Sequence, residues 1–157
     1  MNDFAIALVI HVLAVVLWIG GVSMVTTALL PAIRRDPDGS NPFALFAAVE
    51  RRFARQARIA TLLVGASGFY MVDRLGLWAG FASAAYWWLD AMVLVWLLFT
   101  LLLFIAEPLF LECWVRRRAA RAPERTVLLV QRFHWVMLVL SLVAIAGGVA
   151  SAHGLLF

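Results

Sequence analysis

From Phe4 to Ile33 the chain carries no Asp, Glu, Lys or Arg. Such a run exceeds the roughly 20 apolar residues a helix needs to cross the hydrocarbon core of a bilayer. A helix apolar on every side has no stable home in water. Three further stretches are close to this character: Ile59 to Val72, Trp87 to Leu111 (interrupted only by Asp90 and Glu107) and Phe133 to Leu156. The first of these is short by itself. Asn41-Pro42 ahead of it is a helix-start signal, a capping side chain followed by proline in the first turn, so its helix is expected to begin there. The expected fold is all-α: a bundle of four transmembrane helices over about 4–33, 42–72, 86–112 and 127–156, making one integral membrane domain of residues 1–157.

Composition narrows the function classes. Hydrophobic residues are 65% of the 157, and charged residues 14%. An average soluble domain has roughly 45–50% apolar residues, so disorder and an ordinary cytosolic enzyme are excluded. The net charge of +4 and the pI near 10.6 would suit a nucleic-acid partner. The basic residues, however, sit in two connections between apolar spans, so no nucleic-acid partner is expected and the lipid bilayer is. All thirteen basic residues are arginine, with no lysine. Cys113, the single cysteine, has no partner for an internal disulfide, and no zinc-type spacing occurs. No GxSxG, HExxH, phosphate-loop or dinucleotide fingerprint is present, which leaves enzymatic activity open, at most as a component of a membrane oxidoreductase.

Arginine placement sets an orientation. The first connection and its flank carry Arg34, Arg35, Arg51, Arg52, Arg55 and Arg58. The third carries Arg116, Arg117, Arg118, Arg121 and Arg125, with Arg132 close behind, whereas the second carries only Arg74. By the positive-inside rule the arginine connections face the cytoplasm, and both termini face the periplasm or exterior. The expected location is a bacterial inner membrane, spanned several times. Met1-Asn2-Asp3 lacks a positive leader and the first apolar run is too long for a signal peptide, so no cleavage is expected. Within Phe43 to Arg58, Arg51, Arg55 and Arg58 follow helical spacing. They read either as arginines snorkelling to headgroups or as an anion or propionate site. Trp78, Tyr86, Trp87 and Trp88 read as an interfacial belt.

Ionisable groups inside apolar spans are candidates for function. His11 lies about 10 Å below the exterior surface, His153 at the exterior end of the fourth helix, and His134 at its cytoplasmic end. His134 and His153 are roughly 28 Å apart along one helix and cannot share a metal. His11 and His153 approach the same membrane face. If the first and fourth helices are neighbours, they form a pair of imidazoles of the kind that holds a b-type haem in a bundle. Trp18, Gly20-Gly21 and the small-residue pairs Ala144/Gly148, Gly147/Ser151 and Gly148/Ala152 permit either close helix packing or room for a flat macrocycle. Met71, level with His153, offers a soft thioether that would suit copper. In the third helix Asp90 is expected to contact either a haem-ligand histidine or the loop. Glu107-Pro108 pairs a carboxylate with a helix breaker: Glu107 is expected to meet Arg58 or Arg132, or else to transfer protons.

The segment His11-Val-Leu-Ala-Val-Val-Leu-Trp-Ile-Gly-Gly resembles the first helix of the CopD-like membrane proteins, and HemJ-like proteins share a related His-to-Trp pattern. Arg52-Phe53-Ala54-Arg55, followed by an apolar run to Gly68, is also similar to the CopD pattern. The trait Trp-Ile-Gly-Gly with a terminal His153-Gly154 resembles uncharacterised bacterial four-helix membrane proteins. The resemblance implies copper handling or haem binding, with weight on His11. Both families commonly show a later intramembrane lysine, which this chain lacks. The leading expectation is a b-type haem protein that moves electrons near the periplasmic face, with His11 and His153 as axial ligands, Trp18 lining the pocket, and a quinone or periplasmic redox protein as electron partner. The alternatives are a copper-handling protein using His11 and Met71, and a non-catalytic subunit of a larger membrane complex.

Overall fold

The computed structural model describes residues 2–35 and 42–155, and every regular element among them is helical. The first rod is α1 (Asn2–Met24), a π-helical stretch (Val25–Leu29) and α2 (Leu30–Arg35). The second is α3 (Pro42–Arg74), which begins on the expected proline; its capping candidate Asn41 lies outside the described residues. Two short 3-10 turns (Leu77–Ala82 and Ala84–Tyr86) lead into the third rod. That rod is α4 (Trp87–Leu101), a second π-helical stretch (Leu102–Leu111) and α5 (Glu112–Arg121), and the fourth is α6 (Pro123–Ala152).

Three helical stretches are long and apolar enough to cross a membrane: Asp3–Arg35, Ala84–Leu111 and Glu124–Ala152. Only 28%, 22% and 28% of their most apolar windows are buried inside the molecule, so most of this apolar surface faces outward, as a bilayer requires and water would penalise. α3 does not meet the same criterion, because its apolar stretch is bounded by Arg58 on one side and by Asp73 and Arg74 on the other.

Three expected helix boundaries shift. The third rod continues past residue 112 to Arg121, and the fourth starts at Pro123 instead of 127. Apolar periodicity marks the part of a helix that needs an apolar surrounding; arginines at a helix end face water or headgroups and do not stop the helix. What stops it is Pro123. Ala122 before it adopts φ −151°, ψ 74°, since the proline ring disfavours a helical conformation there. At the other end α6 stops at Ala152 rather than 156. Gly154 has φ 67°, its N–H donates to Ser151 O (3.0 Å), and Leu155 N–H donates to Ala150 O (2.9 Å). This is a Schellman cap, which needs the left-handed residue that glycine provides, and it makes His153 the capping residue. The terminal His-Gly signature therefore has a backbone role in Gly154.

The rods pack as two antiparallel pairs. α1 lies most extensively on α3, and α4 on α6, while the contacts between pairs are sparser. Buried alanines at 54, 57 and 60 give α3 a shallow face toward α1, which lets the backbones approach. The register is fixed along the whole first pair. Asp3 meets Tyr70 and Arg74, His11 meets Val64 and Ser67, and Gly21 lies under Phe53, whose ring fills the space where a Cβ would stand. α3 is thus coextensive with α1. In the second pair Trp87 and Trp88 cover Gly147, and Met92 covers Gly148. Close packing, not open space, accounts for these glycines.

Candidate functional site

The two pairs meet differently at the two ends. At the end with the arginine connections Val25, Leu30, Ile33 and Val127 form a closed cluster, and Arg34 donates to Gln131 across it (2.9 Å). Thr26 and Thr126 are fully buried there, each returning its hydroxyl to the carbonyl four residues back, Val22 O (2.6 Å) and Ala122 O (2.8 Å), so no polar group is stranded.

The second π-helical stretch belongs to this half. In a π-helix each N–H bonds the carbonyl five residues back, so Pro108, lacking an N–H, leaves Leu103 O without its helical donor. Leu103 is buried. Arg58 Nε, arriving from α3, donates to that carbonyl (3.0 Å), and its other nitrogen pairs with Glu107 Oε2 (3.3 Å). Of the two arginines expected for Glu107, it is Arg58 that makes the contact. One side chain supplies the missing hydrogen bond and neutralises the adjacent carboxylate. Arg51, Arg52 and Arg55 are exposed around it.

At the end carrying the termini the pairs leave a cleft of about 810 Å³, walled by α1, α3, α4 and α6. Ligand pockets typically measure about 300–1,000 Å³. His11, Trp18, Met71 and His153, the four residues singled out from the sequence, all line it. His134 does not; it sits half-buried on α6, bonded to Val130 O (2.8 Å), with Phe133 edge-on to its ring. Asp90 is exposed near the cleft end, and among the described residues no Asp, Glu or Arg lines the cleft.

His11 is the most constrained polar group in the wall. Its Nδ1 lies 3.2 Å from Val64 O and 3.0 Å from Ser67 Oγ. A carbonyl only accepts, so Nδ1 carries the proton and donates. The Ser67 hydroxyl donates in turn to Leu63 O (2.5 Å), which leaves its oxygen free to accept from His11. A Cβ on Gly68 would stand 3.2 Å from the imidazole, so a larger residue there would press on the ring. The consequence is chemical: with Nδ1 committed to the backbone, Nε2 of the neutral ring holds the lone pair. His153 repeats the arrangement, its Nδ1 donating to Val149 O (2.9 Å). Metal-binding histidines commonly fix ring and tautomer in this way, through a carbonyl on the far nitrogen.

Trp18 is buried against Phe99, edge-on with ring centroids 4.8 Å apart, and its indole N–H, like that of Trp88, has no hydrogen-bond partner. Trp96 closes the wall, donating to Thr61 O (2.9 Å) and packed where a Cβ on Gly65 would be. Gly20 has open space where a Cβ would stand, so it widens the cleft instead of seating a neighbour. Sequence reasoning missed Ser67 and Trp96. The only sequence signal for either is spacing: Ser67 follows Val64 by one helical turn and so shares its face. Among the described residues no group of three or more His, Cys, Asp or Glu is gathered as a metal centre. A haem needs only two axial ligands, and the chemistry of the cleft donors, two imidazoles in apolar walls, fits that demand. Comparison with family models, curated proteins and solved structures returns no match for this chain.

Proposed function

We propose that this chain is a multi-pass protein of a bacterial inner membrane whose cleft holds a b-type haem for electron transfer near the periplasmic face. The observation that carries the reading is that His11 and His153 line one apolar cleft, each with Nδ1 tied to a backbone carbonyl and Nε2 left as the ligating atom. When bound, the haem supplies one-electron exchange at its iron. The protein's part is to hold the ring through His11 and His153, to stack it among Trp18, Met92 and Trp96, and to keep water from it with an uncharged wall. A quinone or a periplasmic redox protein is the proposed electron partner.

The orientation is part of the proposal: both termini outside, the arginine connections inside, and all four rods crossing. α3 is included because it runs beside α1 from Asp3 to Gly21 at matching depth. Arginine asymmetry supports the direction. Cys113 is exposed at the start of α5, so a membrane-impermeant maleimide should leave it unlabelled in intact spheroplasts and label it after lysis. Labelling before lysis would reverse the orientation.

The deciding experiment is an absorption spectrum with metal analysis on one purified sample. Haem-replete expression should give a Soret band in the wild type that His11→Ala removes. Absence of the band in both would end the haem reading. A copper reading is favoured by a separate observation: the Met71 thioether lines the same cleft as both imidazoles. It predicts copper in copper-fed cells, lost in His11→Ala and in Met71→Leu.

A further inference from the structure

The cleft is longer than its two histidines need. Its lining runs along α1 from Phe4 to Ser23, so it continues past His11 for roughly 18 Å. Among the described residues α3 lines it only from Val64 to Leu75. Beyond that level the wall comes from α1 (Trp18, Gly20, Ser23) and α6 (Leu138, Ser141, Leu142). This inner part is open on its flank. Val16 and Leu142 line it and are still 61% and 52% exposed, and nothing lies within 4 Å of where a Cβ on Gly20 would stand. In a membrane that flank faces hydrocarbon.

Trp18 stands on this inner part with an unmet donor. It is 3% exposed, and its indole N–H has no partner. It lies about 22 Å along the rod from Asp3 and about 24 Å from Arg34, at the middle of the Asp3–Arg35 span. Water, which would answer a stranded donor elsewhere, is absent from the hydrocarbon centre. An acceptor must therefore arrive from the bilayer. It must arrive on an uncharged molecule, because among the described residues no Asp, Glu or Arg lines the cleft to balance a charge. Phospholipids keep their acceptors in the interfacial layer. A quinone has a flat neutral ring, two carbonyls that accept, and a tail soluble in hydrocarbon. We infer that the inner cleft is a quinone site, entered from the bilayer between α1 and α6, where Trp18 donates its indole N–H to a ring carbonyl and Gly20 leaves room for the ring. The inference rests on the electron-transfer reading and selects the lipid-soluble one of its two electron partners. It seats the quinone on the inner side of Trp18 and the cofactor on the outer side.

The test records the indole N–H resonances of the full chain, isotopically labelled and prepared without haem, in phosphatidylcholine nanodiscs. The probes are decylubiquinone and decylbenzene, which carries the same tail and no acceptor. The resonance missing from Trp18→Phe identifies the Trp18 N–H. Decylubiquinone should move that resonance downfield, and decylbenzene should leave it in place. Saturable binding of tritiated decylubiquinone should weaken about threefold to tenfold in Trp18→Phe, the loss of one hydrogen bond. It should weaken by about tenfold or more in Gly20→Phe, which fills the open side of the groove. Equal shifts from both probes, or saturable binding that Gly20→Phe leaves intact, would overturn the quinone site. A Trp18 shift with no Soret band on adding haem would keep the quinone site and remove the haem. A Soret band with no Trp18 shift would do the reverse.

Discussion

The two ends of the bundle handle the same difficulty, a polar group among apolar helices, in opposite ways. In the arginine half the buried threonines, Glu107 and the Leu103 carbonyl are answered from within. Thr26 and Thr126 return their hydroxyls to their own helices, and Arg58 answers both the Leu103 carbonyl and Glu107. In the half carrying the termini, two indole N–H groups in the cleft wall, on Trp18 and Trp88, have no partner, as has the buried Thr61 hydroxyl behind the wall, while His11, like His134, is answered on one nitrogen. Completed hydrogen bonding makes a half rigid and closed; partial completion beside a cavity marks the half where another molecule can supply the remainder.

The largest effect should come from exchanging the histidines across this divide. His11→Ala should abolish the Soret band, whereas His134→Ala, in the closed half, should retain it with unchanged position. Equal loss in both would erase the functional distinction between the halves.

Next in size is the Arg58 contact. Arg58→Lys keeps a positive charge beside Glu107 but has no second donor at the Nε position. It should cost about 1–3 kcal/mol, the expense of a buried carbonyl without a partner, read by denaturant unfolding in detergent. In a Pro108→Ala background, where residue 108 regains an N–H, the same substitution should cost less than about 0.5 kcal/mol. An equal cost in both backgrounds would show that the arginine does not stand in for the proline's missing hydrogen bond.

The glycine doublet gives the finest contrast. Gly21→Ala would drive a methyl group into Phe53 and should destabilise by about 1–3 kcal/mol through overpacking. Gly20→Ala meets nothing within 4 Å and should be neutral or stabilising by less than about 1 kcal/mol. The same unfolding assay reads both, and matching effects would mean that the cleft side of α1 is as tightly packed as its α3 side.

Much of the helical layout was legible because apolar runs and arginine clusters are set by the surroundings of each segment, not by distant contacts. The start at Pro42 followed from local chemistry. The ends were less legible. α5 runs to Arg121 because charged residues at a helix end are compatible with headgroups and water, and α6 ends early because Gly154 takes a left-handed turn that hydropathy does not encode. Glu107 was readable as half of a pair, since a carboxylate in an apolar run demands a cation. Choosing Arg58 over Arg132 required the register of α3 against the third rod. His11, Trp18, Met71 and His153 could be placed near one end by counting residues. That they wall a single cleft depends on how the two helix pairs diverge, and the Ser67 contact to His11 joins residues far apart in the chain.

Asp3 and His153 lie at the same end of the bundle, beside the mouth of the cleft. The Schellman cap turns the chain out of α6 directly after His153. Anything joined shortly before Asp3 or shortly after Leu155 therefore begins next to the candidate ligands. A polyhistidine purification tag at either terminus would bring a string of competing imidazoles to the cleft, able to bind haem or copper itself and imitate the signal being sought. An epitope placed in the connection between Arg35 and Pro42, at the far end of the rods, would purify the protein without adding a single metal ligand near His11.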